Sequence, residues 1–124
     1  MAGLLRILVG VIALFNIGIG LMFLANPAGA AAGFFLSPVG IQGLATLRAD
    51  FPGFFITGGV CALVGALHKD GRALLVPMLL LAIALAGRFV SLALDGMAPT
   101  AVPPMLVEAA MISVLALARR SFGR

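Results

Sequence analysis

The stretch 51–94, FPGFFITGGVCALVGALHKDGRALLVPMLLLAIALAGRFVSLAL, holds two apolar runs on either side of the polar pentapeptide His68-Lys69-Asp70-Gly71-Arg72. Apolar runs of this length with almost no charge read as membrane-spanning helices. So short a connection can only return the chain alongside itself, so the two helices are antiparallel neighbours. The second of them, Ala73 to Leu94, carries Pro77 near its start, where proline is tolerated. The first, Phe51 to Leu67, covers only ~25 Å at a helical rise of ~1.5 Å per residue, which is short for a bilayer core. An earlier start near Leu44, with Pro52 in a first turn, would complete it.

Working outward, two more runs flank this hairpin. Leu4 to Leu24 precedes it, and Asn26-Pro27 ends that helix because proline disfavours helical geometry in the residue before it. The beginning resembles a signal peptide, with Arg6, an apolar stretch and the small-residue triplet Ala28-Gly29-Ala30. The apolar stretch is longer than an ordinary signal core, so a retained spanning helix is expected. Residues 27–49 form a mildly apolar connection containing Phe34 and Phe35, expected in the interface as one or two short helices. After Asp95-Gly96, the prolines Pro99, Pro103 and Pro104 interrupt helix, and the fourth run is Met105 to Ala118. The expectation is an all-α, polytopic bundle of four transmembrane helices, one domain over residues 1–124, with an interfacial connection between helices one and two.

Composition agrees. Of 124 residues 63% are hydrophobic and 10% are charged. A soluble domain has about 25% charged residues. Lipid must therefore be the solvent. The net charge of +4 could suggest nucleic acid, but the basic residues sit at the ends of apolar runs, and no nucleic-acid partner is expected. Arg6, Lys69, Arg72, Arg119, Arg120 and Arg124 fall on one side of the membrane and Arg48 on the other, beside Asp50 and Asp95. By the positive-inside rule both termini are cytoplasmic. Richness in Ala, Gly and Arg suggests a bacterial source, hence the inner membrane. Cys61 is the single cysteine, a packing residue with no disulfide partner. No cofactor and no metal site is expected: there is no metal-ligand spacing, and no Gly-rich phosphate loop follows a strand.

Gly58, Ala62 and Ala66, and on the next helix Ala82 and Ala86, recur at a spacing that lets helices approach closely in lipid. They are expected to pack helices within the chain, with homo-oligomerisation the weaker alternative.

Two charged residues and one amide sit inside helices: Arg88, Glu108 and Asn16. An intramembrane charge costs on the order of 2.5–3.5 kcal/mol, so such groups are paired or functional. At ~1.5 Å per residue Arg88 lies about 10 Å below the outer surface, Glu108 about 6–8 Å, and Asn16 about 12–14 Å. Arg48 and Asp50 enter at that surface. Asp95 sits at a helix C-terminus, where the dipole disfavours an anion, so Arg48 or Arg88 is its expected partner. Asn16, Arg48, Asp50, Arg88, Asp95 and Glu108 are thus expected to form one outward-opening polar cluster. It would consist of the ion pairs Arg88–Glu108 and Arg48–Asp50, or serve as a pocket for a polar headgroup or small solute.

The run Leu47-Arg48-Ala49-Asp50-Phe51-Pro52-Gly53-Phe54-Phe55, with Gly87-Arg88, Asp95-Gly96 and Glu108, resembles a bacterial family of small four-helix membrane proteins, domain of unknown function 4345. The resemblance covers nearly the whole chain. Its Asn, Arg-x-Asp, Arg and Glu signature falls on Asn16, Arg48, Asp50, Arg88 and Glu108. More loosely, the architecture is similar to DoxX-like proteins. The resemblance implies a fold and no activity.

The leading functional expectation is a non-catalytic inner-membrane protein, either a ligand-binding bundle for a lipid or small amphiphile or an accessory subunit of a larger membrane complex. The second is a membrane-embedded enzyme on a lipid or isoprenoid-like substrate, with Glu108 or Asp50 as acid/base and Arg88 steadying an anion. The third is a small proton-coupled transporter, which ranks last because the first helix carries Asn16 in place of a carboxylate.

Overall fold

A computed structural model describes residues 1–123; Arg124, one of the basic residues counted above, lies outside them. The elements are all helices: α1 Ala2–Ala25, α2 Pro27–Ala32, α3 Gly40–His68, α4 Leu75–Asp95 and α5 Val102–Phe122. All but α2 are long and apolar enough to cross a membrane.

Asn26-Pro27 does two things at once. The Asn26 N–H closes α1 on the Met22 carbonyl, while its side chain accepts from the Gly29 N–H and caps α2, with Pro27 at the first helical position. The connection expected over 27–49 is therefore shorter than the sequence suggests. It comprises α2 and residues 33–39, and the chain is helical again from Gly40. Helix α3 has 29 residues. At a rise of ~1.5 Å per residue it extends ~43 Å, well past a hydrocarbon core of ~30 Å. Pro52 lies inside this helix instead of in its first turn. Likewise α5 starts at Val102, ahead of Met105, with Pro103 and Pro104 in its opening turn, and continues past Ala118.

The long helices form a ring in which α1 touches α3, α3 touches α4, α4 touches α5, and α5 returns to α1. The α1–α3 interface is the most extensive, and among the described residues the diagonal pairs make no close backbone approach. One end is tightly closed. Leu5, Val9, Ile12 and Ala13 of α1 meet Ala62 and Ala66 of α3, Leu74 and Leu81, and Leu115, Ala118 and Phe122 of α5. This end also carries Arg6, the 68–72 turn, Arg119 and Arg120, so these basic residues share one end of the bundle, while Arg48 and Arg88 lie away from it.

At the other end the helices part. Between Ala82 of α4 and Val114 of α5 no residue is buried, whereas Leu81 and Leu115 are. Ala82 and Ala86, expected to pack within the chain, are exposed on the outside of this diverging half. The small-residue stripe on α3 does pack, with Gly58, Ala62 and Ala66 all buried.

Arg6 has a structural role beyond orientation. Its Nε donates to the Ala66 carbonyl at 2.7 Å and its Nη2 to the Leu67 carbonyl at 3.1 Å. These are acceptors that the end of α3 leaves without helical donors, at the negative end of the helix dipole. Arg6→Gln should cost about 1 kcal/mol, read as an earlier midpoint in detergent-induced unfolding.

Candidate functional site

Where α4 and α5 diverge from α1 and α3 a cavity of about 460 Å³ opens, lined by all four long helices and by Phe34. Its floor is the packed layer at Leu81. Phe34, Phe51, Phe54 and Phe55 form much of one wall, with the Phe55 ring against those of Phe34 and Phe54. Phe23, fully buried behind them, stacks on Phe51 at 4.7 Å and packs against Phe34 at 5.4 Å. A second hollow of about 400 Å³ adjoins it toward the α4–α5 loop. Phe34, Ala84, Arg88 and Pro104 line both hollows, and the second adds Ser91 and Thr100.

The polar groups are few and specifically placed. Arg88 Nε donates to Glu108 Oε1 at 2.8 Å, joining α4 to α5 across the widening gap. Glu108 is the more enclosed partner, its side chain 12% exposed against 37% for Arg88. Asn16 is buried on α1; its amide nitrogen donates to the Ile12 carbonyl at 2.8 Å and lies 3.8 Å from Met111 Sδ. With the amide hydrogens so used, the group Asn16 can offer to the cavity is its carbonyl oxygen. Asp50 lies at the rim, exposed and lining the same cavity.

Four of the six expected residues, Asn16, Asp50, Arg88 and Glu108, therefore share one cavity, and two do not. Arg48 does not pair with Asp50. Because α3 begins at Gly40, the two are separated by two helical positions and face different ways. Arg48 Nη1 instead donates to the Leu24 carbonyl at the end of α1. There a cation is favoured by the helix dipole. Asp95 pairs with neither arginine. It stands two turns beyond Arg88, about 10 Å along the axis at the helical rise. It accepts from Ser91 Oγ at 2.9 Å, and Ser91 lines the second hollow, not the main cavity.

The aromatic wall is the part of the site that the sequence reading misses. Phe51, Phe54 and Phe55 stand at i, i+3 and i+4, the spacing of one helical face, and that signal is readable once the region is taken as helix. Phe34 cannot be placed this way, because it is the turn after α2 that brings it to the wall.

Phe15 of α1 and Val107 of α5 line the cavity yet remain 51% and 47% exposed. The cavity is thus open along the side of the bundle where α1 and α5 present these two residues.

No curated protein and no solved structure matches the chain. A family model does, across residues 4–119, so that the match reaches all four long helices and takes in every residue of the cavity: the chain belongs to the family described as Domain of unknown function (DUF4345).

Proposed function

We propose that this protein is a non-catalytic receptor or carrier of the bacterial inner membrane that holds a membrane-dissolved amphiphile, with both termini in the cytoplasm. The observation that carries the reading is the laterally open cavity of about 460 Å³, with an apolar aromatic wall and a small number of fixed polar groups. Binding sites for small molecules have this size and this mixture. A side opening at bilayer depth suits a ligand that arrives from lipid, since neither end of the molecule need unfold to admit it. Gathering Arg6, Lys69, Arg72, Arg119 and Arg120 at the closed end supports the cytoplasmic assignment of that end. A reporter fused to the C-terminus should read as cytoplasmic.

The test of binding uses protein extracted directly into native-lipid nanodiscs. Mass spectrometry should find one small amphiphile enriched in near-stoichiometric amount over discs of an unrelated membrane protein. Ala84→Phe, which fills the cavity and removes no charge, should abolish the enrichment. Equal enrichment in a normally folded Ala84→Phe protein would refute the proposal.

A further inference from the structure

We infer that the cavity selects a cationic amphiphile, a compound with an apolar body and one protonated amine or quaternary ammonium group. The inference rests on the proposed binding role and adds the charge of the ligand. The charged residues lining the cavity are one guanidinium and two carboxylates. Arg88 and Glu108 neutralise one another at 2.8 Å. Asp50 has no such counter-ion among the described residues, which leaves one formal negative charge uncompensated.

The other described cations do not line the cavity. Arg48, on the same helix, is turned to the Leu24 carbonyl and does not line the cavity. The remaining described cations, Arg6, Lys69, Arg72, Arg119 and Arg120, belong to the opposite end of the bundle. At a cavity mouth walled by phenyl rings and flanked by lipid, an uncompensated carboxylate favours a cation more strongly than it would at a fully solvated surface. An anionic headgroup would meet repulsion from Asp50 and from the Glu108 carboxylate that already holds Arg88 Nε.

Two further features point the same way. Asn16 offers an oxygen, having turned its hydrogens to Ile12 and Met111, so it suits a donor and not an acceptor. The aromatic wall presents phenylalanine rings, whose faces attract ammonium groups, with no phenol or indole to donate a hydrogen bond to an anion. The rings also supply the apolar contact that the body of an amphiphile needs.

A matched series with one decyl chain isolates the charge: decyltrimethylammonium, decanol and decyl sulfonate. Equilibrium binding to the protein in zwitterionic-lipid nanodiscs is measured with empty discs subtracted, which removes partitioning into the bilayer. The cation should bind about tenfold or more tightly than decanol, and the sulfonate more weakly than either. Asp50→Asn should reduce cation binding toward the decanol level and leave decanol unchanged. If decanol binds as well as the cation, or if Asp50→Asn weakens both equally, charge selection is wrong while a binding cavity remains. If no member of the series binds above empty discs, the binding role itself fails with it.

Discussion

Arg88→Met should destabilise the bundle by about 3 kcal/mol, and a second substitution, Glu108→Leu, should restore much of that loss. The loss comes from uncompensated charge. A buried ion pair contributes little net stability, because desolvation offsets attraction, but removing one partner strands the other at a cost of about 3–5 kcal/mol. Arg88 and Glu108 are not equivalent, and this asymmetry sharpens the expectation. Glu108 is the more enclosed, so stranding its carboxylate is the costlier error. Arg88 also lines the neighbouring hollow with Ser91 and Thr100, where a long side chain freed by Glu108→Gln can find polar company. Glu108→Gln should therefore cost less than Arg88→Met, by about 1 kcal/mol or more. Unfolding in a graded detergent titration, followed by labelling of the single thiol Cys61 on α3, gives the three midpoints. If Arg88→Met matched the unaltered protein, the pair would not be holding α4 and α5 together.

The same pair shows how far the sequence can be read. Four apolar runs, the tight 68–72 turn and the depth of Arg88 and Glu108 follow from hydropathy, helical rise and chain direction, all of which are local. They suffice to bring those two side chains together. Depth alone would also put Arg48 and Asp95 in the cluster, but depth does not fix the direction a residue faces. For Arg48 the error comes from where α3 begins: Gln42, Thr46, Arg48, Asp50 and Pro52 have the composition of a loop, yet packing of Leu47 against Phe23 and α2 keeps the segment helical. Once that segment is helix, Arg48 and Asp50 face apart and Phe51, Phe54 and Phe55 share a face. The cavity itself is not legible in the sequence. It exists because α4 and α5 lean away beyond Leu81 and Leu115, and a divergence between helices leaves no periodic trace in either one.

That divergence needs a rigid counterpart, and the α1–α3 pair supplies it. Gly59→Ala should destabilise by about 3 kcal/mol, the upper part of the range for forcing a methyl group into a packed site. A Cβ at Gly59 would lie 2.6 Å from Ile17 Cγ1 and 2.8 Å from the Ala13 carbonyl oxygen. The side chain of Ile17 can rotate aside, but the carbonyl can retreat only if α1 moves as a whole. One turn farther toward the cavity the relation reverses: Ile56 of α3 fills the space over Gly20 of α1, so the two helices are keyed in both directions. Gly18, on α1 within the same stretch, has open space around its Cβ position. Gly18→Ala should therefore be neutral or stabilising by up to about 1 kcal/mol, through helix propensity alone. Identical chemistry thus predicts opposite outcomes at two nearby glycines, read by the same thiol-labelling titration. Should Gly59→Ala prove as benign as Gly18→Ala, α1 and α3 would not be the rigid pair from which the rest of the bundle opens. The cavity would then have to be sustained by the α4–α5 hairpin, whose diverging half buries no residue of its own.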